Sequence, residues 1–199
     1  MQSPQQIKQS IEKSYTGPPE KQGLYDPANE KDSCGVGFVA HIKGERSHQI
    51  VLDAYEVLKA MDHRGACGCE PNTGDGAGIL TALPHEFLTR VAFEQLSAEL
   101  PEIGHYGAGV VFLPTMEQER KYCKQMVEEI VCEQGQRVVG WRRVPTAPDT
   151  ADVGPAARDA EPAMEQLIIA GTQGCHGDDL ERQLYIIRKR SSHRLRSSS

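Results

Sequence analysis

The sequence predicts an α+β domain in which strands and helices form layers around a common core. Three observations carry that reading. Stretches of strand type, rich in β-branched and aromatic residues, alternate with amphipathic stretches of helical period. Their order contains few strict strand–helix–strand units, which speaks against a doubly wound parallel sheet. Finally, 199 residues with 38% hydrophobic and 25% charged content are enough for one large domain with tails.

Residues 1–33 are polar, rich in Gln, Lys, Glu and Pro, and broken by Gly17-Pro18-Pro19 and a Tyr25-Asp26-Pro27 turn. They read as a leader. Gly35 to Ile42 has the composition of a strand and ends at the turn signal Lys43-Gly44. Ser47 then offers an N-cap for a helix through Ala60, with Val51, Ala54, Tyr55, Leu58 and Met61 on one face and His63-Arg64-Gly65 as its stop. A Gly-rich loop from Ala66 to Gly78 leads to a strand-like Ile79–Leu83. Pro84 starts a second helix, whose apolar positions are Phe87, Leu88, Val91, Leu96 and Leu100.

Tyr106 to Leu113 reads as a buried strand, closed by Pro114. Thr115 is the expected cap of a long helix with Met116, Cys123, Met126, Val127 and Ile130 on one face. Val138 to Val144, with the single tryptophan Trp141, is a strand, and the proline-rich stretch from Pro145 to Pro162 is a surface connection. The apolar runs 166–170 and 184–187 read as the last strands. Residues 191–199 form a basic, Ser-rich tail without a pattern that could bury anything.

The net charge of -6 excludes a strongly basic nucleic-acid binder, although six basic and no acidic residues lie between Arg182 and Ser199. Neither a secretory signal nor an apolar run long enough for a bilayer is visible, so a cytoplasmic protein without membrane partners is expected. The six cysteines should then be reduced thiols. Cys67 and Cys69, one residue apart, lack the usual zinc spacing, and no metal site is assigned. Gly74-Asp75-Gly76-Ala77-Gly78 lacks the register of a dinucleotide loop.

Cys34 admits two readings. It can be a small buried residue at a strand edge. Alternatively it is a nucleophile, which requires a base, because a free thiol has a pKa near 8.5. His41, His48 and His63 are available, but no spacing ties them to it. Its own α-amino group, with a pKa of about 7.7–8.0, would serve if residues 1–33 were removed.

Four segments in order, Tyr25-Asp26-Pro27, Cys34-Gly-Val-Gly-Phe-Val-Ala, Met61-Asp-His-Arg-Gly-Ala66 and Asn72-Thr-Gly-Asp-Gly-Ala-Gly-Ile79, resemble the start of the glutamate synthase large subunit. That region is a class II glutamine amidotransferase domain of the N-terminal-nucleophile hydrolase type. The likeness is dense from Gly23 to Phe87 and looser to Arg190, where Gln183–Arg190 again resembles a family segment. It implies that residues 34–190 are the N-terminal part of a four-layer αββα sandwich with largely antiparallel sheets. It also implies that Cys34 is the nucleophile that attacks the side-chain amide of glutamine. Arg64 would lie beside it, favouring thiolate and holding the terminal residue; the alternative role for this residue is a cation at a helix C-terminus.

The resemblance further implies an oxyanion-binding Asn-Gly pair, whereas the only asparagines here are Asn29 and Asn72, followed by Glu30 and Thr73. The family's FMN and 3Fe-4S cluster belong to later domains, so no cofactor is expected in this chain. Partners would be glutamine, the remaining synthase domains and an electron-donating protein. The chain reads as a fragment with little glutaminase activity of its own, or as a non-catalytic remnant that kept the front of the fold.

Overall fold

A computed structural model describes residues 21–24, 26, 35–62, 76–147, 153–172 and 174–197. The chain divides into two compact units, residues 1–81 with 152–157 and residues 82–151 with 158–199.

Among the described residues of the first unit the longest element is α1 (His48–Ala60), begun where expected because the Ser47 hydroxyl accepts a hydrogen bond from the Gln49 N–H. Ile50, Val51, Ala54, Val57, Leu58 and Met61 form its half-buried stripe. The expected strands on either side are absent. Gly35–His41 and Ile79–Leu83 are irregular, with Phe38 at 92% and Leu80 at 101% exposure. Composition gave these segments strand propensity, but a strand exists only where a neighbour supplies partners for its backbone groups.

The second unit holds the core. It contains α2 (His85–Leu96), β1 (Tyr106–Leu113), α3 (Glu117–Glu133), β2 (Arg137–Arg143), β3 (Ala163–Ala170) and α5 (Gly177–Ser197), while the short α4 (Pro155–Asp159) interrupts the expected surface connection. The strands form one antiparallel sheet in the order β1-β3-β2. Along the central strand the side chains alternate between faces. Leu167 and Ile169 pack with Met126, Val127, Ile130 and Val131 of α3 and Ile187 of α5, whereas Ile168 packs with Leu88 and Val91 of α2 and with Tyr106. Burial on both faces explains why Leu167–Ala170 is a continuous apolar run rather than an alternating one. The result is a layered α+β unit, as the residue pattern predicts.

Gly107 is demanded by this packing. A Cβ there would sit within contact-forbidden range of the Leu184 side chain, so α5 rests directly on the β1 backbone.

Three further expectations change. α3 has Met116 at its N-cap, without a side-chain cap; instead the Arg120 guanidinium turns back to the Pro114 and Thr115 carbonyls. The run 184–187 is helical, and α5 continues through the expected patternless tail to Ser197, with Leu180, Ile187 and Ser191 buried and Leu195 against the core. The spacing Leu180, Leu184, Ile187, Ser191, Leu195 is helical throughout. Four consecutive apolar residues obscured it, and a serine in the stripe broke it. Asp178 and Asp179 in the first turn, with Arg194 and Arg196 in the last, complement the helix dipole.

Candidate active site

Cys34, Arg64, His63, Cys67, Cys69 and the loop residues Asn72 to Asp75 lie outside the described residues. The structure does describe the chain on which Cys34 and Arg64 are carried. Gly35 follows Cys34 directly, and Met61 precedes Arg64 by three residues. These two are in contact: a Cβ on Gly35 would lie 2.8 Å from Met61 Sδ. Two residues on, a Cβ on Gly37 would lie 2.7 Å from Val57 Cγ1.

The two contacts share a physical origin. Alternate residues of an extended chain face the same side and advance about 6.6 Å, while one helical turn of four residues advances about 6 Å. Gly35 and Gly37 therefore lie in step along α1 beside Met61 and Val57, and the chain runs opposite to the helix. A side chain at either glycine would push this segment off α1. The spelling Cys-Gly-Val-Gly, followed by apolar residues one turn apart at Val57 and Met61, contained this signal, although helical periodicity alone does not identify the pair.

Histidine candidates are narrowed as well. His41 is engaged in its own turn, where Nδ1 accepts the Glu45 N–H at 3.2 Å and Nε2 lies 3.8 Å from the Glu45 carboxylate. His48 opens α1. Neither has a described contact with Gly35.

In the second unit a cavity of about 200 Å³ is lined by Arg120, Arg143, Thr146, Glu161 and Glu165 among others, with no cysteine or histidine. Glu165 is already bonded there to Lys124 at 2.6 Å. Thiol chemistry has no place in it. Cys123, Cys132 and Cys175 are free thiols. Among the described residues no helix is long and apolar enough to cross a membrane.

Comparison with known proteins bears on the same segment. The class-II glutamine amidotransferase family matches residues 34–199, so the match starts at Cys34. The chain is 42% identical over 184 residues to "Glutamate synthase [NADH]" of Schizosaccharomyces pombe, covering 88% of this chain and 8% of the relative. It is 38% identical over 181 residues to "Glutamate synthase [NADPH] large chain" of Bacillus subtilis, covering 90% of this chain and 12% of the relative. Against "Ferredoxin-dependent glutamate synthase 2" of Synechocystis it is 40% identical over 159 residues, with 80% of this chain and 10% of the relative covered. The chain thus spans about a tenth of the length of these relatives. With the family match extending over residues 34–199, the chain belongs to the class-II glutamine amidotransferases.

Proposed function

We propose that this chain carries the glutaminase chemistry of a glutamate synthase, with Cys34 as its nucleophile. The observation that supports it most directly is the start of the family match at Cys34. Residues 1–33 then act as a propeptide, and their removal frees the Cys34 α-amine. That amine takes the thiol proton as Sγ attacks the side-chain amide carbon of glutamine. The C–N bond breaks, the proton leaves with ammonia, and a thioester remains. Water then cleaves the thioester, releasing glutamate and restoring the thiol.

Contact between Gly35 and Met61 supports the pairing of Cys34 with Arg64, because each candidate is attached within three residues of that contact. In this reading the Arg64 guanidinium lowers the thiol pKa and holds the free terminus. The α3 and α5 layer over an antiparallel sheet supports assignment of residues 34–190 to part of an αββα sandwich. No cofactor is assigned to these residues; FMN and the 3Fe-4S cluster stay with the family's later domains, as does the electron-donating partner.

Removing one oxyanion donor costs on the order of 100-fold or more in turnover, and the Asn-Gly pair that the resemblance implies has no counterpart beside Asn29 or Asn72. Acylation of the thiol is therefore a more direct test than ammonia release. The chain is incubated with a diazo-ketone analogue of glutamine and analysed by intact and peptide mass. The expected product starts at Cys34 and carries one label on that residue, and Cys34→Ala abolishes labelling. A chain that starts at Cys34 but takes up no label overturns the nucleophile assignment, and retention of residues 1–33 overturns the propeptide.

A further inference from the structure

The cavity of about 200 Å³ in the second unit is walled by two cations, Arg120 and Arg143, and two carboxylates, Glu161 and Glu165. One half of this set is already neutralised. Glu165, with its side chain only 15% exposed, accepts a hydrogen bond from Lys124 Nζ at 2.6 Å and lies 3.7 Å from Arg120 Nε. Arg120 in turn donates through Nη1 to the Pro114 and Thr115 carbonyls.

The other half has no counter-charge. Arg143 lies opposite Glu165 in the β2–β3 ladder, and residues opposite one another point to the same face. Glu165 is nevertheless drawn to α3, and among the described residues neither Arg143 nor Glu161 makes an ion pair. The cavity therefore presents one open charge of each sign beside a satisfied network. A simple anion or a simple cation would neutralise one of the two and meet a like charge at the other. A ligand that carries both charges close together satisfies the pair. The volume is below the roughly 300–1,000 Å³ of sites for drug-sized ligands, so the occupant is a small metabolite.

We propose that this cavity binds a free α-amino acid, whose carboxylate pairs with Arg143 and whose ammonium pairs with Glu161. The Thr146 hydroxyl on the same wall can donate a hydrogen bond to the carboxylate. Lys124, Glu165 and Arg120 hold the wall without competing for the ligand, because their charges are already matched. The site uses no residue of the Cys34 and Arg64 segments, so it stands or falls independently of the glutaminase reading.

Isothermal titration of the full chain with single L-amino acids, up to about 10 mM, tests it. At least one is expected to bind with a Kd of about 1 mM or below. Its α-amide and its N-acetyl derivative, each lacking one of the two charges, bind about tenfold or more weakly. Arg143→Gln and Glu161→Gln each weaken binding of the parent amino acid by a similar factor. Arg137→Gln, at the other end of β2, leaves it within about twofold. Circular dichroism verifies that all three variants are folded. Labelling of Cys34 by the glutamine analogue is unchanged in Arg143→Gln, which separates this site from the glutaminase chemistry. No binding by any amino acid, unchanged binding in Arg143→Gln or Glu161→Gln, or equal binding of either derivative would each overturn the proposal.

Discussion

Gly35–Ile42 and Tyr106–Leu113 are two eight-residue segments of nearly the same character. Each has two glycines, an alanine, two valines and one phenylalanine. Only the second is a strand. Tyr106–Leu113 lies against Ala163–Ala170, whose Leu167, Ile168 and Ile169 are buried by helices on both faces. Among the described residues Gly35 and Gly37 touch α1 and its C-cap, with Val36 and Phe38 in solvent. Intrinsic β preference is thus a property that the two share, whereas a ladder partner is what separates them. The contrast extends to the units. Every buried hydrophobic residue described lies between Leu88 and Ile187, and α1 contributes none.

The strongest way to break this contrast is to truncate one apolar side chain in each segment's surroundings. Ile168→Ala, at a site with no solvent exposure, should cost about 2–5 kcal/mol in urea unfolding. Phe38→Ala should change stability by less than about 0.5 kcal/mol. Equal losses would mean that the first segment has a core of its own. A finer version lies within β1, where Gly107→Ala must displace Leu184 and should cost about 1–3 kcal/mol. Gly109→Ala, with nothing within 4 Å of its new Cβ, should be close to neutral in thermal unfolding.

The helix layer over β3 adds a pH-dependent component. Glu133 accepts hydrogen bonds from Arg194 and Arg190, joining α3 to α5. The Arg194 hydrogen bond, with the charges of both arginines, holds its carboxyl below the ordinary glutamate value of 4.5. A lowered folded-state pKa gives stability that is complete above the unfolded value and disappears as pH falls through the folded one. The wild type should therefore lose more thermal stability than Glu133→Gln on acidification below about pH 5. Parallel melting curves would show that the clamp is not sensed.

The smallest effect is expected at the end of α2, where Ser97 adopts a left-handed conformation with φ of 51°. Ser97→Gly should raise the melting temperature slightly, equivalent to less than about 1 kcal/mol, as relief of the side-chain clash exceeds glycine's added chain entropy. A lower melting temperature would show that the serine side chain stabilises this turn.

By itself the sequence determined the elements whose signals are local. Ser47 capped α1, the apolar period marked α2 and α3, and the bounded run Tyr106–Leu113 coincided with β1. Motif order likewise singled out Cys34 and Arg64 as candidates, although both lie outside the described residues. Tertiary structure decided which strand-like segments became strands, because backbone partners come from residues far away in the chain. It also made a helix of 184–187 and extended that helix to Ser197: the small Ser191 fits the buried stripe beside Ile187 and Leu195, a role that its polarity concealed. Finally, it seated Gly35 and Gly37 against Met61 and Val57. Glycine announces only freedom in a sequence; the side chains occupying the missing Cβ positions become identifiable once the chain has folded.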